Sequence, residues 1–302
     1  MIKLRIKGRL GNQLFIYAFA RKIVEKYNQD VLLYDRCGEK DPMWYSHLGN
    51  YRLNKRIHLT DNKKQVMKMK MSSKCIFLYD RIMSNLLSKN KYSAFQSKNQ
   101  NLYIKNSLFL KLDGYEELPE KMNSDCFCDG YFQSAKYFDD IRAEVIQELM
   151  PIHNYTEYEK KLLYDIENTN SVCVTIRLGD FVNNPLHQVC NKEFYYKAID
   201  VIKEKVENPH FFIFSDDMNG VKEMFDFGEN ATYDSGKMKD YVSLYIMSQC
   251  KHFIISNSTF SWWAQYMGDF KDKIVVSPCK WYADDIPCDL MSDSWIKIDT
   301  RI

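Results

Sequence analysis

The chain lacks several things, and each absence removes a class of function. Its nine cysteines are scattered, with Cys126 and Cys128 as the one close pair. No Cys-x-x-Cys and no zinc-type Cys/His spacing occurs, so neither a disulfide framework nor a structural zinc site is expected. No apolar run reaches the roughly eighteen residues of a membrane span. The first strand begins at Ile2, which leaves no room for a signal peptide. The expectation is a cytoplasmic protein, at most peripheral on the inner face of the cell membrane. A formal net charge of +2 gives no global pull toward nucleic acid. The Walker pattern and Gly-x-Gly-x-x-Gly are both absent, which argues against a P-loop kinase and a dinucleotide-dependent dehydrogenase. Finally, no two aspartates are separated by a single residue.

What is present is an ordinary globular composition, 45% hydrophobic and 27% charged over 302 residues. That length suits two domains, each with its own core, and Pro151 marks the boundary between 1–150 and 151–302. Ile2 to Lys7 alternates apolar and basic residues and reads as a strand. Gly8, Arg9, Leu10, Gly11, Asn12 and Gln13 make a tight glycine turn, and Phe15, Tyr17, Ala18, Phe19, Ile23 and Val24 follow on a helical stripe. Strand, glycine loop and helix open a βαβ unit. The glycines would let backbone approach a ligand at a helix N-terminus, although a plain turn explains them too. Val31 to Tyr34 reads as the next strand.

Residues 36–125 are the least legible. A helix is expected over Ile76 to Leu87. From Asn62 to Leu110 there are ten basic residues and one acidic residue, Asp80, either a solvated face or a surface for an anionic membrane. Asp129 to Gln133 reads as a strand end, followed by a helix from Ser134, its N-cap, to Met150.

The second half alternates clearly. Val172–Arg177, Phe211–Phe214, Phe253–Ile255 and Lys273–Ser277 are short apolar strands. Helical periods cover Glu193–Lys205, Tyr241–Cys250 and the stretch starting at Phe260. Alternation of this kind implies a parallel, doubly wound sheet. Three strands end on polar groups: Arg177, then Ser215, Asp216 and Asp217, then Ser256, Asn257, Ser258 and Thr259. Open α/β sheets bind ligands at that edge.

Arg177 at a buried strand's tip either pairs with a nearby carboxylate or offers a guanidinium fork to phosphate. Ser258 and Thr259 sit where a helix begins, so hydroxyl and N–H groups converge there on an anion. Asp216 or Asp217 could accept from ribose or purine donors. A nucleoside diphosphate fits this set. Glycosyltransferases that bridge a diphosphate through metal usually carry Asp-x-Asp, so its absence points to metal-independent transfer. There an arginine and a helix N-terminus would neutralise the departing diphosphate.

Six segments also carry a resemblance: Gly8–Ala20 (GRLGNQLFIYAFA), Gly130–Phe138 (GYFQSAKYF), Val172–Val182 (VCVTIRLGDFV), Phe211–Asp217 (FFIFSDD), Met247–Trp263 (MSQCKHFIISNSTFSWW) and Ile274–Tyr282 (IVVSPCKWY). In order and spacing the chain resembles the bacterial α-1,2-fucosyltransferases, glycosyltransferase family 11, over nearly its full length. The resemblance implies a GT-B fold, two Rossmann-like domains with parallel sheets facing a cleft. It implies an acceptor-binding domain at 1–150 and a nucleotide-sugar domain at 151–302. The implied reaction is inverting transfer of fucose from GDP-L-fucose, with no metal or other cofactor. The implied acceptor is the 2-hydroxyl of a galactose-like residue in a surface glycan, lipid-linked or free, as in O-antigen or capsule. Donor contacts then fall to Gly8, Arg9, Gly11, Asn12, Gln13, Thr175, Ser215, Asp216, Asp217, Asn257, Ser258, Thr259 and Phe260. Where the family pattern reads His-x-Arg-Arg-x-Asp-Tyr, this chain has Thr175, Arg177, Leu178, Asp180 and Phe181. The family's usual aspartate in the helix before the serine-rich tip is Ser243 here, and Asp240 nearby could substitute.

An inverting displacement needs a group to take the acceptor proton. Asp180, His187 and Glu193 are the nearby candidates. Asp180 is the first choice, as base or as the residue that orients Arg177 or the acceptor, and His187 is the second. The alternatives to the whole reading are a GT-B transferase for another nucleotide sugar and a non-catalytic GDP-sugar-binding protein.

Overall fold

The computed structural model describes residues 1–34, 46–179, 184–284, 286 and 288–299. The chain forms two compact units, Met1–Met150 with Ile286–Leu290, and Pro151–Asp285 with Met291–Ile302. The sequence reading put everything beyond residue 151 into the second domain, and residues 286–290 correct it. Asp289 accepts the Tyr115 N–H at 2.5 Å and the Lys136 Nζ at 2.7 Å, both groups of the first unit.

The first unit is built on a five-stranded sheet of β1 (Ile2–Arg5), β2 (Val31–Tyr34), β3 (Ile57–Thr60), β4 (Leu108–Lys111) and β5 (Phe127–Gly130). Their order is β3-β2-β1-β5-β4, and every pairing is parallel. Helix α1 (Leu10–Tyr27) follows the glycine turn and is covered on all sides, with Leu14, Phe15, Ile16, Tyr17, Ala18 and Phe19 fully buried. Between β3 and β4 run α2 (Lys63–Val66), α3 (Met71–Leu86), α4 (Lys89–Lys98) and α5 (Gln100–Lys105). The expected 76–87 helix thus begins five residues earlier.

The expected helix from Ser134 to Met150 is not continuous. Two single 3-10 turns, Ala135–Tyr137 and Asp139–Ile141, precede α6 (Arg142–Glu148), and the Ser134 side chain caps neither. Tyr137 and Phe138 are consecutive and both buried. The chain leaves helical geometry at Phe138, with φ −141° and ψ 9°.

At the carboxyl edge of this sheet, β1 lies between β2, which follows it through α1, and β5, which lies on its other side. Ligand crevices open at such a switch of direction. A charge cluster around the buried Asp129 lies there. Asp129 accepts Arg5 Nη2 at 2.8 Å and Lys7 Nζ at 3.0 Å, and Lys7 lies 4.7 Å from the Tyr131 ring centre. Burial, against the pull of Asp129, lowers the Lys7 pKa. Burial also opposes ionisation of Asp129, but Lys7 and Arg5 prevail and hold its carboxyl below the usual range.

The second unit has six parallel strands in the order β11-β10-β9-β6-β7-β8. They are β6 (Asn170–Ile176), β7 (Pro209–Ser215), β8 (Ala231–Tyr233), β9 (His252–Ile254), β10 (Val275–Pro278) and β11 (Ile296–Ile298). Its helices are α7 (Glu157–Glu167), α8 (Lys192–Lys205), α9 (Met218–Met224), α10 (Asp240–Ser248) and α11 (Thr259–Met267). Strand β6 is apolar because it is covered on both faces, with Val172, Cys173 and Val174 fully buried.

Asp129→Asn should destabilise the protein by about 3 kcal/mol, because it removes the buried carboxylate that two half-buried cations share. Urea unfolding measures this. The Asp129 carboxyl is depressed in the folded state, so its stabilisation is complete above about pH 4, the ordinary carboxylate range. It is lost as pH falls through the depressed value, so the variant should show a shallower acid limb of stability.

Candidate active site

In the second unit β6 and β9 are neighbours, yet the chain leaves β6 through α8 toward β7 and leaves β9 through α11 toward β10. The switch of direction therefore falls between the tips of β6 and β9, where parallel sheets open their ligand crevices. Thr175, near the end of β6, accepts the Ser256 N–H on its hydroxyl at 3.0 Å and donates to the Ile254 carbonyl at 3.4 Å. Tyr195 from α8 donates to the Thr175 carbonyl at 3.2 Å. Thr175 thus locks the two tips together and is itself buried. Past β9, Ser256 and Ser261 share a buried hydroxyl contact of 3.0 Å, and Ser258 is the N-cap of α11, accepting the Phe260 N–H. Thr259 and Phe260 form the half-buried first turn of that helix.

Arg177 leaves the tip of β6 and does pair with a carboxylate. Its Nη1 lies 3.3 Å from Asp216 Oδ2, with both side chains about one-fifth exposed, 17% and 21%. Asp216 also accepts the N–H groups of Leu178 at 3.0 Å and Gly179 at 3.2 Å. One carboxylate from the tip of β7 therefore fixes the backbone that carries the guanidinium as well as the guanidinium itself. A side chain at position 179 would not fit, since its Cβ would come within 2.6 Å of Asp216 Oδ2. This makes Asp216 a brace for Arg177. The neighbouring Asp217 is engaged as well: it caps α9 by accepting the Gly220 N–H at 3.0 Å, while its own N–H donates to Ser215 Oγ at 3.0 Å.

Asn257 joins two further loops to this edge. Its Nδ2 donates to the carbonyls of His187 at 3.1 Å and Trp281 at 2.9 Å. Its Oδ1 faces Cys190 Sγ at 3.7 Å, a thiol that burial pushes up to about 12 and so keeps unreactive at neutral pH. The half-buried His187 ring meets Tyr282 edge-on, 5.5 Å between centres. Asn257 is thus a tie between His187 and the tip of β9. Asp240 is exposed in the first turn of α10, and Ser243, one turn on, donates to Met247 Sδ at 3.7 Å. Asp180 lies outside the described residues, as do Phe181 and Val182 of the same motif. Glu193 pairs with Lys197 on the exposed side of α8.

The remaining candidates belong to the first unit. Gly8 has φ +77°, and a Cβ there would come within 2.3 Å of Asn12 Nδ2, so the turn needs glycine. Gln13 is fully buried; its amide donates to the Gly8 carbonyl at 3.0 Å and accepts the His47 N–H at 2.9 Å. It braces the loop from within. Asn12 accepts from Gln133 at 2.7 Å, Arg9 is the N-cap residue of α1, and Gly11 is buried in its first turn. Trp281 and Tyr282, beyond β10, close the Ile274–Tyr282 segment that carries part of the resemblance, but neither is singled out there as a site residue. Among the described residues no group of three or more His, Cys, Asp or Glu side chains could hold a metal ion.

Comparison with known proteins adds to this geometry. The description of Glycosyl transferase family 11 matches residues 1–299. The O-antigen biosynthesis glycosyltransferase WbnK of Escherichia coli is 29% identical, over 97% of this chain and 99% of that protein. An alpha-1,2-colitosyltransferase of E. coli is 30% identical over 98% of each. Among solved structures, the NodZ alpha-1,6-fucosyltransferase co-crystallized with GDP aligns over 87% of this chain and 91% of its own. The TM-score is 0.47 at 11% identity.

The two roles of Asp216 are graded by substitution. Asp216→Asn leaves one carbonyl oxygen for the Leu178 N–H, loses the acceptor of the Gly179 N–H and removes the charge facing Arg177, so GDP affinity by calorimetry should fall, by less than in the alanine variant. Asp216→Ala releases the turn and should weaken GDP at least about tenfold, or 1.4 kcal/mol. Unchanged affinity in the alanine variant would remove Asp216 as the brace.

Proposed function

The chain belongs to glycosyl transferase family 11, and from that premise we propose that it moves L-fucose from GDP-L-fucose to the 2-hydroxyl of a galactose-like residue. The transfer inverts the anomeric carbon and needs no metal. The protein is a glycosyltransferase with relatives in O-antigen synthesis. The observation that supports the finer reading is the strand-tip constellation, in which Arg177 is held by Asp216 on the same sheet edge as the N-terminus of α11. In the proposed reaction the acceptor 2-hydroxyl attacks the anomeric carbon from the face opposite the diphosphate. The bond from that carbon to the phosphate oxygen breaks, and GDP departs with the electron pair. Arg177 and the N–H groups at the start of α11 stabilise the charge that grows on the diphosphate. A diphosphate neutralised in this way leaves without a general acid. The acceptor proton passes to a base, for which Asp180 remains the first choice. His187, held to the same edge through Asn257, is the second.

In this proposal the second unit holds the donor, and the first unit holds the acceptor at the crevice of Arg5, Lys7, Asp129 and Tyr131. The acceptor is a galactoside of a surface glycan, carried on a lipid in the cytoplasm.

A second reading concerns the sugar. The similar alpha-1,2-colitosyltransferase favours a donor other than fucose, and Thr175, Leu178 and Ser243 stand where the family pattern has charged or imidazole groups. A site that hydrogen-bonds a sugar hydroxyl discriminates against an analogue lacking it, so the two donors separate cleanly in competition.

Incubation with GDP-fucose and lactose should yield an α-1,2-fucosylated product by NMR, at a rate unchanged by EDTA. Loss of turnover that Mn²⁺ or Mg²⁺ restores would overturn the metal-free mechanism, and transfer from GDP-colitose alone would move the donor to the second reading. Arg177→Ala should lower kcat/KM by two to three orders of magnitude, about 3–4 kcal/mol, as for loss of an oxyanion donor. Lysine should restore only part, since it keeps the charge and loses the fork. Asp180→Asn should lower turnover at least about a hundredfold with GDP affinity preserved.

A further inference from the structure

Helix α3 is apolar on two opposite faces. The inner face carries Ile76 and Phe77, packed on the cluster of Leu32, Val66, Tyr103, Leu108 and Phe127. The outer face carries Met71, Leu78, Tyr79, Ile82 and Leu86, with exposures of 73%, 61%, 48%, 48% and 72%. At 100° per residue these five fall within one arc of about 100°, directly opposite Ser73 and Asp80, which are buried. Lys74 and Arg81 border the arc on one side, and both are exposed. Single exposed leucines are ordinary, but a continuous apolar stripe along four turns marks a surface that meets something.

The charge around the stripe says what. Of the residues from Asn62 to Leu110, ten are basic and Asp80 alone is acidic. Asp80 does not contribute to the outer surface: it is buried and accepts Tyr92 Oη at 2.7 Å, Tyr103 Oη at 3.0 Å and Gln96 Nε2 at 3.2 Å. Lys70 faces Asp125 at 3.7 Å, and beyond it the helix and its neighbours α4 and α5 present Lys74, Arg81, Lys89, Lys91, Lys98 and Lys105. An apolar arc bordered by cations is the arrangement of a helix lying in the surface of an anionic bilayer. The stripe also has a place relative to the first unit's crevice, since Arg81 is close enough to Lys7 to help lower its pKa.

We infer that α3 docks this protein on an anionic membrane, with the outer stripe inserted among the acyl chains and Lys74 and Arg81 at the headgroups. The inference stands on this surface alone, and its test needs no turnover. Flotation with vesicles of phosphatidylethanolamine and phosphatidylglycerol (7:3) at 50 mM NaCl should carry most of the wild-type protein upward, and pure phosphatidylcholine should carry little. Leu78→Glu with Ile82→Glu changes two exposed positions, so it should keep the wild-type melting temperature and lower the partition coefficient at least tenfold. Lys74→Glu with Arg81→Glu should erase the preference for the anionic lipid. Failure of the wild-type chain to float with anionic vesicles, or full binding by the Leu78→Glu, Ile82→Glu protein, would overturn the inference. So would a wild-type dimer that this double variant dissolves without any vesicle binding, since a second copy would then cover the stripe. Transfer to a soluble acceptor, measured in parallel, reports on the transferase reading separately.

Discussion

Strand β6 has hydrogen-bonded neighbours on both edges and apolar cover on both faces. A polar side chain inside such a strand must find a partner within the sheet, because water cannot reach it. Two do. Ser171 accepts the Lys251 N–H, and Thr175 takes part in the bonding of β9. Every other polar function is displaced to the strand's end, where Arg177 emerges. The same constraint acts on β7 and β9, and parallel pairing puts all three ends on one edge. The site is thus a by-product of how this sheet excludes water, and its chemistry depends on which residues each tip happens to carry.

Holding those residues in place falls to a small set of groups. Asp216 fixes Arg177 from one side, Asn257 gathers the His187 and Trp281 loops from the other, and Thr175 fastens the tips between them. Catalysis by electrostatic stabilisation requires donors already oriented where charge will develop. Side chains that never meet a substrate can therefore matter as much as those that do.

Much of this was legible in sequence, and the illegible parts have physical reasons. Strands buried on both faces, such as β2, β6 and β7, announce themselves as unbroken apolar runs. Strand β3 buries Ile57 and leaves His58 and Leu59 exposed, so its pattern says little. Helix α7 carries a capping box, Thr156 with Glu159, that could have been read from spacing alone. The expected 134–150 helix is interrupted at Phe138, whose backbone is not helical, and no residue of the stretch is a proline or glycine that would announce the break. In the site, the family resemblance and the strand-tip rule both led to Arg177. The pairing with Asp216 depends on β7 lying beside β6, which sequence order does not state. The bracing by Gln13 and the capping by Asp217 could not be told from ligand contacts in sequence, because capping and bracing use the same polar residue types as recognition.

Residues 286–290 give the first unit a contribution from far down the chain, with Asp289 joining Tyr115 and Lys136. The gene segment that encodes a complete first unit is consequently discontinuous. A fragment ending at residue 150 would leave the Tyr115 N–H and Lys136 without their carboxylate. Recombination between relatives at the obvious proline boundary would pair one parent's unit with the other parent's carboxylate. Chimeras intended to exchange the first unit should therefore carry both pieces, since a single crossover at the proline cannot transfer it whole.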